Sequence, residues 1–137
     1  MCIRDRYHHD GEQYGSAAFC NLFLSDDKGL DVHFPYSGQR IPLVRGTAIV
    51  FDTCQPHAVI RRGSSGFQTA DFASDEDLTQ LFLTWELPVE AACVAQALGV
   101  VFDIDPQAAA GMAQEQVWEN GARAVVNPAS GRWDPAV

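Results

Sequence analysis

Over residues 16–62 the chain alternates short apolar runs with polar turns. "SAAFCNLFL" (16–24) has the length of a strand and closes in the turn "SDDKG" (25–29). "LDVHF" (30–34) alternates apolar and polar, the pattern of a half-buried strand. After the turn "PYSGQR" (35–40), "IPLV" (41–44) predicts a short strand whose proline favours a sheet edge. "TAIVFD" (47–52) is β-branched and aromatic and predicts a central strand. "TCQP" turns the chain once more into "HAVIRR" (57–62). Strands at such close, regular intervals predict a sandwich or barrel.

The pattern then changes. "GSSGFQTADFASDEDL" (63–78) is polar and long for a hairpin, which suits a lid over a site. "QLFLTWEL" (80–87) predicts another strand, with Phe82 and Trp85 in the core. Pro88 opens a predicted helix, "VEAACVAQALG", with Gly99 as its C-terminal cap. "VVFDID" reads as a strand or an extended connection, and Asp105-Pro106 starts a second helix through "QAAAGMAQEQVWEN". "ARAVVNPASGRWDPAV" suggests one more strand and a loose tail. The expected architecture is mainly β, a jelly-roll-like barrel, with one or two helices on its C-terminal side. Residues 7–87 form the core and residues 88–137 a helical extension and tail.

Composition narrows the function. A length of 137 residues allows one domain, and a net charge of −9 argues against nucleic acid and anionic membranes as partners. No apolar run approaches the length of a membrane span. Cys2, Cys20, Cys54 and Cys93 are scattered without a C-x-x-C pair, which fits free thiols in a reduced, cytoplasmic compartment. "MCIRDR" (1–6) has the look of a non-native leader, so the chain is expected to be an N-terminally truncated protein.

Candidate chemistry sits in "YHHDGEQYG" (7–15). In extended backbone, residues two apart face one side, so His8 and Asp10 converge while His9 points away. Gly11 lets the backbone turn close beside them. His57, opening the strand after "TAIVFD", is the candidate third ligand. Two histidines and a carboxylate make the facial triad of non-haem Fe(II) sites, which leaves open positions on an octahedral ion.

On these residues the chain resembles the Fe(II)/2-oxoglutarate-dependent oxygenases of the double-stranded β-helix fold. His8-His9-Asp10 is similar to the family's H-x-D, and "RGTAIVFDTCQPHAVI" (45–60) to the strand–turn–strand that delivers its distal histidine. The resemblance covers about residues 7–87. It implies Fe(II) held by His8, Asp10 and His57, 2-oxoglutarate and O2 as cosubstrates, and ascorbate as a reductant the family often accepts. The implied reaction is hydroxylation of a small molecule, amino acid or peptide.

The chain departs from the family where a cation should hold the far carboxylate of 2-oxoglutarate, because Phe67 and Gln68 occupy that place. Arg61 shares the face of His57 by strand alternation and is one substitute, beside Arg62. Lys28 is another, and Arg40 and Arg45 stay open. Asn21 interrupts an apolar strand and either contacts cosubstrate or makes a structural hydrogen bond. His33 reads as a surface histidine. A different reading is a cupin-type metal protein, dioxygenase or isomerase, independent of 2-oxoglutarate: Gly46, Asp52, Cys54, His57 and Arg61 reproduce the spacing of the second cupin motif, while His8-His9 fits the first poorly. A third is a non-catalytic β domain.

Overall fold

A computed structural model describes residues 6–11, 17–73, 76–99 and 118–136. Five strands follow in quick succession: β1 (Ala17–Phe23), β2 (Leu30–Phe34), β3 (Gln39–Pro42), β4 (Ala48–Asp52) and β5 (Ala58–Arg61). A 3-10 turn (Thr69–Phe72) and β6 (Phe82–Pro88) come next, then helix α1 (Ala92–Leu98). β7 (Trp118–Glu119), β8 (Ala122–Val126) and β9 (Trp133–Pro135) end the described chain.

The protein is mainly β, and its sheets are antiparallel. One has the order β4-β1-β6 and the second β3-β2-β5. Alternation decides which side chains meet between them. Phe19 and Phe23 of β1 with Ile49 and Phe51 of β4 join Leu30, Val32 and Phe34 of β2 and Val59 of β5 in one core. The 63–78 segment is tied to this core: Phe72 is buried there and stacks on Phe67, 5.5 Å between ring centroids.

Several expectations need correcting. β4 is an edge strand, and β1, with a partner on each side, is central. β3 lies at an edge as its proline suggests, but begins two residues before the expected run. Phe82 packs on the core, whereas Trp85 faces outward and is 47 % exposed. Pro88 is the last residue of β6 and not a helix start; α1 begins at Ala92 and ends at Gly99 in the left-handed region, φ 66°. In the described C-terminal part α1 is the helix and β8 the strand expected in "ARAVV", but the expected loose tail carries a further strand. Residues 118–135 form a third antiparallel sheet, β7-β8-β9. Asn120-Gly121 causes this: both residues have positive φ, 52° and 81°, as a tight hairpin turn requires. "VVFDID" and most of the expected second helix lie outside the described residues, as do positions 1–5 of the expected leader. Among the described residues no helix is long and apolar enough to cross a membrane.

Candidate metal centre

β5 is the last strand of its sheet, and the segment carrying His8 lies along its free edge. His8 N donates to His57 O at 3.2 Å and His57 N to His8 O at 2.9 Å. Two residues on, Asp10 N donates to Thr53 O at 2.8 Å. The turn after β4 is shaped by Asp52, whose Oδ1 accepts from Cys54 N at 2.8 Å and whose carbonyl accepts from Gln55 N at 3.0 Å. That turn therefore sets His57 and Asp10 against each other. Gly11 is required by close approach: a Cβ there would stand 2.7 Å from Cys54 Sγ and 3.3 Å from Cys54 Cα.

Period-two geometry then does what the sequence implies. His8, Asp10 and His57 offer ligand atoms all within 4.8 Å of one another. Asp10 straddles the pair, with Oδ1 at 3.8 Å from His8 Nε2 and Oδ2 at 3.5 Å from His57 Nε2. Each ring is oriented through its other nitrogen. His8 Nδ1 lies 2.7 Å from the Arg6 carbonyl and His57 Nδ1 2.9 Å from that of Gln55. A carbonyl oxygen only accepts, so both Nδ1 atoms carry the proton and both Nε2 atoms present a lone pair. Metal-binding histidines are held this way by a second layer of acceptors.

Without a cation, this arrangement sets two lone pairs against a carboxylate. His57 Nε2 is buried and has no hydrogen-bond partner among the described residues. The His57 side chain is 0 % exposed, walled by Phe51 and Phe34 at centroid distances of 5.2 and 5.9 Å. Burial pushes its pKa down from 6.5 to about 4, so the ring is neutral at physiological pH and free to ligate. Cis ligands about 2.1 Å from a metal sit roughly 3 Å apart. The observed 3.5 and 3.8 Å need only small side-chain adjustments to reach that spacing. The residues fit a divalent metal with two nitrogen and one oxygen ligands.

The other expected site residues are not gathered around the triad with free side chains. Arg61 does share the face of His57 and Val59, but its guanidinium is taken by Glu76 and by the carbonyls of Asp71 and Lys28. Arg62 binds Asp31, whose side chain is 7 % exposed, at 2.9 Å and Asp27 at 2.7 Å. Lys28 pairs with Asp77 at 3.4 Å and Arg45 with Asp26 at 2.8 Å. Arg40 Nη1 donates to Ser64 O at 2.5 Å. Asn21 is buried, and its Oδ1 accepts from Thr84 Oγ1, opposite it on β6, at 2.7 Å.

Two features escaped the sequence. His33 is no plain surface residue, because its Nδ1 lies 2.5 Å from the hydroxyl of buried Tyr7. The β8–β9 hairpin backs the segment carrying His8 and Asp10: Tyr7 N donates to Pro128 O at 3.3 Å, and the Trp133 ring meets His9 edge-on at 5.0 Å. The turn run Asn127-Pro128-Ala129-Ser130-Gly131 was the available signal for that hairpin. No family model, curated protein or solved structure matches this chain, so the centre is read from its own geometry.

Proposed function

We propose that the chain is a mononuclear non-haem Fe(II) oxygenase of the double-stranded β-helix fold, with 2-oxoglutarate as cosubstrate and a small molecule or peptide as substrate. Its ligands are His8, Asp10 and His57. One observation carries the reading: two Nε2 lone pairs and a carboxylate converge, and the buried His57 Nε2 has no hydrogen-bond partner among the described residues. What iron supplies in such a site is O2 activation at the positions that three protein ligands leave open. The chain's own residues do the rest. The Arg6 and Gln55 carbonyls fix the ring tautomers, and Phe34 and Phe51 keep water from the His57 side. The Asp10 carboxylate supplies negative charge against the divalent ion.

A second reading is a cupin-type metal protein that needs no 2-oxoglutarate. It draws support from the cations, since Arg61, Arg62 and Lys28 each pair with an internal carboxylate already. The test is an anaerobic titration with Fe(II) and then 2-oxoglutarate, read by the visible charge-transfer band that forms when both bind. A band in the parent that is lost in His57→Ala supports the oxygenase. Metal binding without a band moves the second reading ahead, and no metal binding by the parent overturns both.

A further inference from the structure

Behind the metal-binding segment lies a second cavity, of about 390 Å³, a volume in the range of small-ligand sites. Strand alternation places it there: His8 and Asp10 face His57, while Tyr7 faces the other side. Tyr7, Ala58 and Ile60 form a small cluster on the outer face of the β3-β2-β5 sheet, against Phe67 and Val126. The cavity opens beside this cluster, between the segment after β5 and the β8–β9 loop.

Its lining is rich in donors and free of acids. His33, Ser65, Gln68, Ser130 and Arg132 contribute the polar groups, and no carboxylate is among the described residues that line it. That is unusual in a chain with 18 acidic residues against nine lysines and arginines. Lys28, Arg45, Arg61 and Arg62 are each answered by an Asp or Glu. The exposed Arg132 side chain has no hydrogen bond or ion pair to any described residue. Arg40 stands close enough to act electrostatically on both Tyr7 and His33.

The Tyr7–His33 pair aims one more donor. The buried phenol lies 2.5 Å from His33 Nδ1, and a phenol that donates there makes Nδ1 the acceptor. With Nδ1 accepting, the neutral ring carries its proton on Nε2. Hydroxyls, an imidazole N–H and an uncommitted guanidinium around one cleft are the groups that bind oxyanions through charge-assisted hydrogen bonds.

We infer that this cleft is an oxyanion site: it takes a small molecule bearing a carboxylate or phosphate, with Arg132 as the principal charge and His33 Nε2 as an oriented donor. The site is distinct from the metal centre and does not depend on it. The test uses the full chain at fixed ionic strength, titrated with inorganic phosphate and separately with malonate, and followed by amide NMR shifts. Saturable shifts at Gly66, Ser130 and Arg132 are expected with at least one probe, and the probe that saturates names the class. Arg132→Gln, an exposed position that leaves the core untouched, should weaken binding about tenfold or more. Arg45→Gln and Asp10→Asn should leave it unchanged; the second removes a metal ligand, so failure of the metal reading and failure of this one are told apart. Shifts that never saturate, or saturable binding indifferent to Arg132→Gln, would overturn the assignment.

Discussion

The two ends of β5 are both polar, and they are built in opposite ways. At its C-terminal end Arg61 and Arg62 are met by Glu76, Asp27, Asp31 and three backbone carbonyls. At its N-terminal end His57 buries a nitrogen with no hydrogen-bond partner among the described residues. An unmade hydrogen bond of this kind costs about 1–3 kcal/mol. A strand whose far end pairs every guanidinium nitrogen carries such a cost where an outside group completes the bonding. The lesson is one of accounting: residue type nominates both ends as functional, and hydrogen-bond satisfaction separates them.

The sharpest way to break the contrast is to remove a ligand. Asp10→Ala, at a side chain about a quarter exposed, should weaken divalent metal binding by at least about 100-fold in anaerobic calorimetry. Parent-like affinity would erase the distinction. The second effect is on pH. Since burial holds His57 at about 4 against an ordinary 6.5, the unfolded chain takes up the proton first. Stability of the metal-free protein is therefore complete above about pH 6.5 and falls as the pH drops towards 4, by on the order of 3 kcal/mol. Urea midpoints across that window should show the fall, and His57→Phe should flatten it; a flat profile in the parent would place the ring in water. Next in size is Gly11→Ala, whose Cβ would crowd Cys54 Sγ at 2.7 Å. It should cost about 1–3 kcal/mol in thermal unfolding and loosen the metal with it. An unchanged melting temperature would mean that the Cys54 turn yields freely. The smallest effect is expected at the opposite end, where Arg61→Ala should alter metal affinity by less than about twofold. If it instead abolished 2-oxoglutarate binding with the metal still bound, Arg61 would be an anchor and not a strut.

Much of the frame was legible because alternation is a local property. β1, β2, β4 and β5 fall within a residue or two of their apolar runs, since one face of each is packed in the core. The convergence of His8 and Asp10 was readable for the same reason, and His57 from its place after a turn. The cations were not, because their partners Asp27, Asp31, Glu76 and Asp77 come from distant parts of the chain that no spacing rule brings together. Trp85 failed for a related reason. Its strand has the composition of a core strand, but β6 lies at the sheet edge, and only tertiary placement decides which face is covered. The C-terminal sheet failed through turn chemistry, with Asn120-Gly121 read as the end of a helix and not as the middle of a hairpin.

The bond from Tyr7 N to Pro128 O, with Trp133 against His9, has a consequence for how the protein comes into being. The segment that bears His8 and Asp10 is made well before the hairpin that backs it, Pro128 following Tyr7 by 121 residues. Contacts of such separation carry the largest loop-closure entropy and form late. During synthesis the two β-sheets can close on Val59 while His8 and Asp10 still lack their backing. The three-residue cluster is then backed only after the β8–β9 hairpin has been made, and a divalent ion held there would be loaded after that step.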